Sequence, residues 1–126
     1  MNAHLDTHVA AHLAVGDLKK LSRAARSAAE RYDLLISPIV RVELEYLYEV
    51  RRSPHRAGFV VFHLADSLNV LVCPLPFDRV ARAACHESWT PDAFDRLIVG
   101  HARCAPDAYL ITADETMRAN YHRAVW

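Results

Sequence analysis

Glycine and cysteine are both scarce in this chain, at three residues each among 126. There is no Gly-rich phosphate loop, no dinucleotide-binding fingerprint and no Gly-x-Ser-x-Gly nucleophile elbow. Cys73, Cys85 and Cys104 are odd in number and far apart, with no Cys-x-x-Cys pair, so they read as reduced, mostly buried small hydrophobes. No segment approaches the roughly 20 apolar residues of a membrane span. The opening residues lack a basic stretch followed by an apolar one, so no secretory signal is visible and the cytoplasm is the expected compartment.

Net charge is missing as well. Lys and Arg total 15, Asp and Glu total 15, and the formal charge at pH 7 is zero. A dedicated nucleic-acid binder usually carries a clear basic excess, so composition by itself nominates no nucleic-acid partner. Lysine is confined to Lys19 and Lys20, and the remaining cations are Arg, the better bidentate partner for phosphate and carboxylate. The absence of any lysine after Lys20 counts against receiver and phosphatase domains, which need a late lysine on the phosphoryl group. Eight His invite a zinc reading, and His8 and His12 are spaced i, i+4. With no His-Glu-x-x-His motif, that pair is expected to flank a site or face solvent.

What is present is the balance of a globular domain, 52% hydrophobic and 24% charged. The length suits one domain, residues 1–126, with no repeat or linker to divide it. Short apolar runs at 2–5, 34–36, 70–73, 109–112 and 124–126 read as strands. Between them lie helix-period segments: one from Thr7, stopped near Gly16, and a second with Asp17 as candidate N-cap. A third runs from Ser37-Pro38 to about Arg52, and a fourth opens at Ser53-Pro54 and continues through Leu68. Further helices run from near Asp78 through Cys85, from Thr90-Pro91-Asp92 to about Cys104, and over 115–120. Strand–helix alternation of this kind predicts an α/β fold, a parallel sheet covered on both faces.

Four carboxylates stand out against that pattern. Asp6 closes the first strand and Asp114 follows the fourth, so both lie where open α/β sheets gather their ligands. At about 100° per residue, Glu43 falls in the middle of the third helix's apolar arc, while Glu45 and Glu49 project to the solvated face. On the later helix Asp95 is flanked by apolar positions, and Asp92 reaches the edge of that arc and is also a candidate N-cap. Buried acids are costly unless paired or bound to a cation. Four acids coinciding with one sheet edge point to a shared, oxygen-loving divalent ion, Mg²⁺ or Mn²⁺.

At these residues the chain resembles the PIN-domain family, most closely its VapC-type toxin ribonucleases. The likeness is carried by Leu5-Asp6-Thr7-His8, by Ile36-Ser37-Pro38 followed by Val42-Glu43-Leu44, and by Pro91-Asp92-Ala93-Phe94-Asp95-Arg96-Leu97-Ile98. Leu110-Ile111-Thr112-Ala113-Asp114 and the closing Arg123-Ala124-Val125-Trp126 complete it, in order along essentially the whole chain. The resemblance implies a three-layer α/β/α fold with a central, mostly parallel sheet. It also implies a Mg²⁺- or Mn²⁺-dependent endoribonuclease acting on RNA, neutralised by a cognate antitoxin protein and commonly a homodimer. Carried over by position, the catalytic acids are Asp6, Glu43, Asp95 and Asp114, with Asp6, Asp95 and Asp114 as metal ligands. Asp92 becomes an accessory acid and Thr112 the hydroxyl that steadies the last acid. In the mechanism expected at such a site, Arg96 or another nearby Arg positions the RNA backbone, and His8, next after Asp6-Thr7, approaches the substrate. Glu115 departs from the commoner basic or polar residue there. The competing expectation is a non-catalytic PIN-like module that binds protein or RNA, and zero net charge is its best support.

Overall fold

The first apolar run, Asn2–Leu5, forms β1 at the centre of a five-stranded sheet in the computed structural model, which describes residues 1–126. Strand β2 (Asp33–Ile36) pairs on one side and β4 (Tyr109–Ile111) on the other. Outside them lie β3 (Leu71–Val72) and β5 (Ala124–Val125), giving the order β3-β2-β1-β4-β5 with every pairing parallel. Because β1 is covered on both faces, Ala3, His4 and Leu5 are all buried, as a near-continuous apolar run in a parallel strand requires. Helices flank the sheet, making the three-layer α/β/α arrangement.

The helices are α1 (Thr7–Ala14), α2 (Arg23–Arg31), α3 (Pro38–Glu49), α4 (Ala57–Leu68), α5 (Phe77–Ala84), α6 (Ala93–Cys104) and α7 (Glu115–Asn120). Ser37 caps α3 by accepting from the Ile39 N–H at 3.2 Å, with Pro38 at the first helical position. Two starts differ from expectation. Asp17 caps no helix: Leu18–Lys20 is a single 3-10 turn, and α2 begins only after Ser22, whose Oγ accepts from the Ala25 N–H at 3.0 Å. The chain breaks there because Leu21 turns into the core while Leu18 stays exposed. Helix α4 starts four residues after Ser53, and the Ala57 N–H donates at 3.3 Å to Glu45 Oε1 on α3. Glu45, expected on the solvated face, is therefore half-buried and caps its neighbour.

The core is built by Leu5, Ile36, Leu110 and Ile111 of the sheet against Val9, Val40, Leu44, Leu64 and Ile98 of the helices. Each such side chain contributes about 1.5–3 kcal/mol by leaving water. Gly100 lets α6 approach α5 closely, since a Cβ there would lie 3.0 Å from the Val80 carbonyl oxygen. Of the cysteines only Cys73 is buried; Cys85 is exposed, Cys104 is half-buried, and all three are free thiols. The expectation of mostly buried cysteines therefore fails for Cys85, which follows the short helix α5 on its solvent side.

Candidate active site

The parallel pairing of β1 with β4 places Leu5 opposite Ile111, and so brings the residues that follow each strand together. Asp6 and Asp114 are both N-caps. Asp6 Oδ1 accepts from the Thr7 N–H at 2.7 Å at the start of α1, and Asp114 Oδ1 accepts from the Met117 N–H at 2.8 Å at the start of α7. Thr112 joins them. Its hydroxyl donates to Asp6 Oδ2 at 2.6 Å and accepts from the Asp114 N–H at 3.0 Å. The sequence expectation gave Thr112 the last acid alone; the structure has it bracing both.

Glu43 enters from α3, and Thr7 at the start of α1 donates its hydroxyl proton to Glu43 Oε1. The buried face of α3 is Val40, Leu44 and Leu47, so Glu43 stands at the margin of that face rather than in its middle. The expected arc was drawn too wide because Tyr46 and Val50 were counted as core, and both are exposed. Asp92 caps α6, its Oδ1 accepting from Phe94 N–H at 2.8 Å and Asp95 N–H at 3.2 Å, which leaves Oδ2 without a hydrogen bond. Asp95 lies in the first turn of α6, where the helix dipole favours negative charge. The acids also differ in burial from the initial picture: Asp6 is 8% exposed, Glu43 and Asp95 are half-buried, and Asp114 is exposed.

All five carboxylates line one cleft of about 620 Å³. Burial pushes the carboxyls of Asp6 and Glu43 above their ordinary values. Asp95 is pushed up to about 7, first by burial and then by the charges of Asp92, Asp6, Asp114 and Glu43. Such mutual repulsion is relieved by a cation. The donors are hard oxygens, the set that Mg²⁺ and Mn²⁺ prefer. No group of three or more His, Cys, Asp or Glu side chains is arranged to hold a metal ion. Mg²⁺ usually keeps several waters and takes one or two carboxylates besides substrate phosphates. In donor chemistry, though not as a preformed cage, Asp6, Asp95 and Asp114, with Glu43 beside them, match what such an ion takes.

His8 lines the cleft, as does His12, one turn further along α1. Arg96 does not: its Nε donates to the Thr90 carbonyl at 2.7 Å, fastening the loop that leads into α6. Sequence reasoning missed Lys20, Arg52, Tyr46, Phe94 and Trp126, all of which line the cleft. Tyr46 and Phe94 carried a usable signal, one turn after Glu43 and directly before Asp95. Lys20 and Arg52 carried none, since they arrive in turns whose direction the local sequence leaves open.

No helix is long and apolar enough to cross a membrane. No curated protein matches the chain. In fold it is similar to the solved structure of VapBC2 from Rickettsia felis bound to a DNA fragment from its promoter. That match has a TM-score of 0.55 and 19% identity, and covers 94% of this chain and 92% of that one. At such identity the likeness is one of fold. The family model of the PIN domain matches residues 3–122, nearly the whole chain, and the protein belongs to the PIN-domain family.

Proposed function

We propose that this protein is a Mg²⁺- or Mn²⁺-dependent endoribonuclease, the toxin of a toxin–antitoxin pair. The observation that carries the reading is the convergence of five carboxylates, from β1, α3, α6 and the end of β4, on a single open cleft. A divalent cation bound there supplies charge neutralisation at a phosphodiester and acidification of water. Asp6, Asp95 and Asp114 are the residues to hold it, with Glu43 contacting it directly or through water and Asp92 as accessory acid. Thr112 and the Thr7 N–H keep Asp6 pointed into the cleft, and the Thr7 hydroxyl does the same for Glu43. His8, exposed at the rim, is placed to meet the substrate. The rings of Tyr46, Phe94 and Trp126 offer faces on which unpaired bases stack, the usual way proteins hold single-stranded RNA.

An antitoxin partner is supported by the similarity in fold to the VapBC2 structure. Exposed Phe59 and Phe62 on α4 are apolar surface of the sort that protein contacts cover, whether by an antitoxin or in a homodimer. The decisive experiment offers a mixed RNA panel to purified protein with Mn²⁺ or Mg²⁺, beside an EDTA control and the Asp6→Asn variant. Cleavage that needs the metal and is lost in Asp6→Asn is the expected result. Undiminished cleavage by Asp6→Asn would sink the site assignment. RNA binding without cleavage by the wild type would favour a non-catalytic module.

A further inference from the structure

The cleft that carries the acids is short of positive charge. Beside five carboxylates, the only Lys or Arg side chains lining it are Lys20 and Arg52. With zero net charge the chain as a whole offers a polyanion no attraction, so any hold on RNA must come from cations placed locally.

Arg52 owes its position to an unusual helix ending. Helix α3 has Val50 as its C-cap, and Arg51 then adopts a positive φ of 60°. The Arg51 N–H donates to the Tyr48 carbonyl at 3.0 Å and the Arg52 N–H to the Leu47 carbonyl at 2.8 Å. This is a Schellman closure, whose left-handed position normally takes glycine. Arginine stands there instead, its charge at the negative end of the helix dipole and its guanidinium without a side-chain partner. Neither Arg51 nor Arg52 makes a side-chain hydrogen bond or ion pair, and both are exposed. Arg56, by contrast, pairs with Glu45 at 3.7 Å and lies over the Tyr48 ring. Arg52 lines both the acidic cleft and an adjoining hollow of about 570 Å³, which Arg51 and Glu49 also line.

We propose that the Arg51–Arg52 turn is a phosphate-binding site that grips the RNA backbone beside the cleft. The inference rests on reading the cleft as a ribonuclease site. Arg52 lies nine positions after Glu43, beyond the end of α3 at Glu49, where the closure turns the chain off the helix axis. Arg52 stands at the edge of the acidic cleft and Arg51 lines only the hollow beside it, so the turn meets the backbone where the strand leaves the acids. Guanidinium groups suit this task because they bind phosphate oxygens bidentately. Tyr46 projects from the same helix between the two points and packs on Phe94 with ring centroids 6.1 Å apart, so a base can stack there as the strand passes.

The test measures fluorescence anisotropy of a labelled single-stranded RNA in EDTA across a salt series, with Mn²⁺-dependent cleavage assayed separately. Arg51→Gly suits the left-handed backbone, so it should melt no lower than wild type while binding RNA more weakly. Arg52→Ala should weaken binding roughly tenfold at low salt, the loss of one charged hydrogen-bonding group. The double variant should make the slope of log affinity against log salt shallower by about 1.4, two phosphates on a single strand. Lysine at both positions should restore part of the slope, and Arg41→Ala, on the exposed side of α3, should change nothing. An unchanged affinity and slope in the double variant, with wild-type cleavage intact, would overturn the phosphate site and leave the ribonuclease reading standing. A wild type that neither binds nor cleaves RNA would overturn both.

Discussion

Thr112 donates its hydroxyl proton to Asp6 Oδ2 at 2.6 Å across a sequence separation of 106 residues, and its own Oγ1 accepts from the Asp114 N–H. One buried hydroxyl thus ties the ends of β1 and β4 together at the acidic cleft. Thr112→Val keeps the shape and removes both bonds. The expected outcome is a loss of about 1–3 kcal/mol in stability, the cost of leaving a buried acceptor unpaired, measured by denaturant unfolding. RNA cleavage should fall with it, and Thr112→Ser should recover most of both.

Asp95 gives a pH dependence whose sign is fixed. In metal-free protein its carboxyl, at about 7, holds a proton that the unfolded chain releases near the ordinary 3.8. Between those values the folded state binds more protons, so this residue's contribution to stability falls as pH rises from about 4 to about 7. Mg²⁺ or Mn²⁺ offsets the exposed repulsion only where the acids are ionised. Thermal melts should therefore show a larger metal-induced rise in Tm at pH 8 than at pH 5. Asp95→Asn should raise the metal-free Tm at pH 8 and shrink the metal effect.

His4 works in the opposite direction. It is 1% exposed, neither ring nitrogen has a partner, and burial first, then the neighbouring His101, hold it down to about 4. The unfolded chain takes up the proton near 6.5 and the folded one does not, so stability is lost as pH falls from 6.5 towards 4. The loss is roughly 3 kcal/mol across that window. His4→Leu should flatten the acid limb of a stability–pH curve and be neutral or stabilising at pH 7.

Arg96, expected with other nearby arginines as a candidate for the RNA backbone, is occupied with the Thr90 carbonyl. Arg96→Ala should lower stability by about 1–3 kcal/mol through the lost charged hydrogen bond. It should leave the salt slope of RNA binding unchanged. A slope shallower by about 0.7 would return Arg96 to the substrate path.

Much of this was legible in the chain. The strands announced themselves as short apolar runs, and α6 could be bounded at Asp92 and Cys104 because its cap and its periodicity agree. Asp6 and Asp114 could be placed at one sheet edge because in a parallel sheet every strand ends on the same side. Other features were closed to inspection. Glu43 could be separated from Glu45 by angle, yet that angle could not reveal Tyr46 and Val50 as exposed, since an apolar side chain in a cleft wall and one in the core read alike. Asp17 and Ser22 are comparable N-caps, and only the burial of Leu21 chose between them.

The sequence by itself determined the order of elements, the parallel sheet and the identity of the acids, because period, capping and strand direction are local properties. Tertiary structure alone decided which side chains share the cleft. Lys20 and Trp126 come to it from distant segments while Arg96, one residue from Asp95, turns away. Whether a side chain faces a cleft depends on how turns aim the backbone and on which hydrogen bonds claim its polar atoms first. Those are long-range outcomes that no residue's neighbours in the chain record.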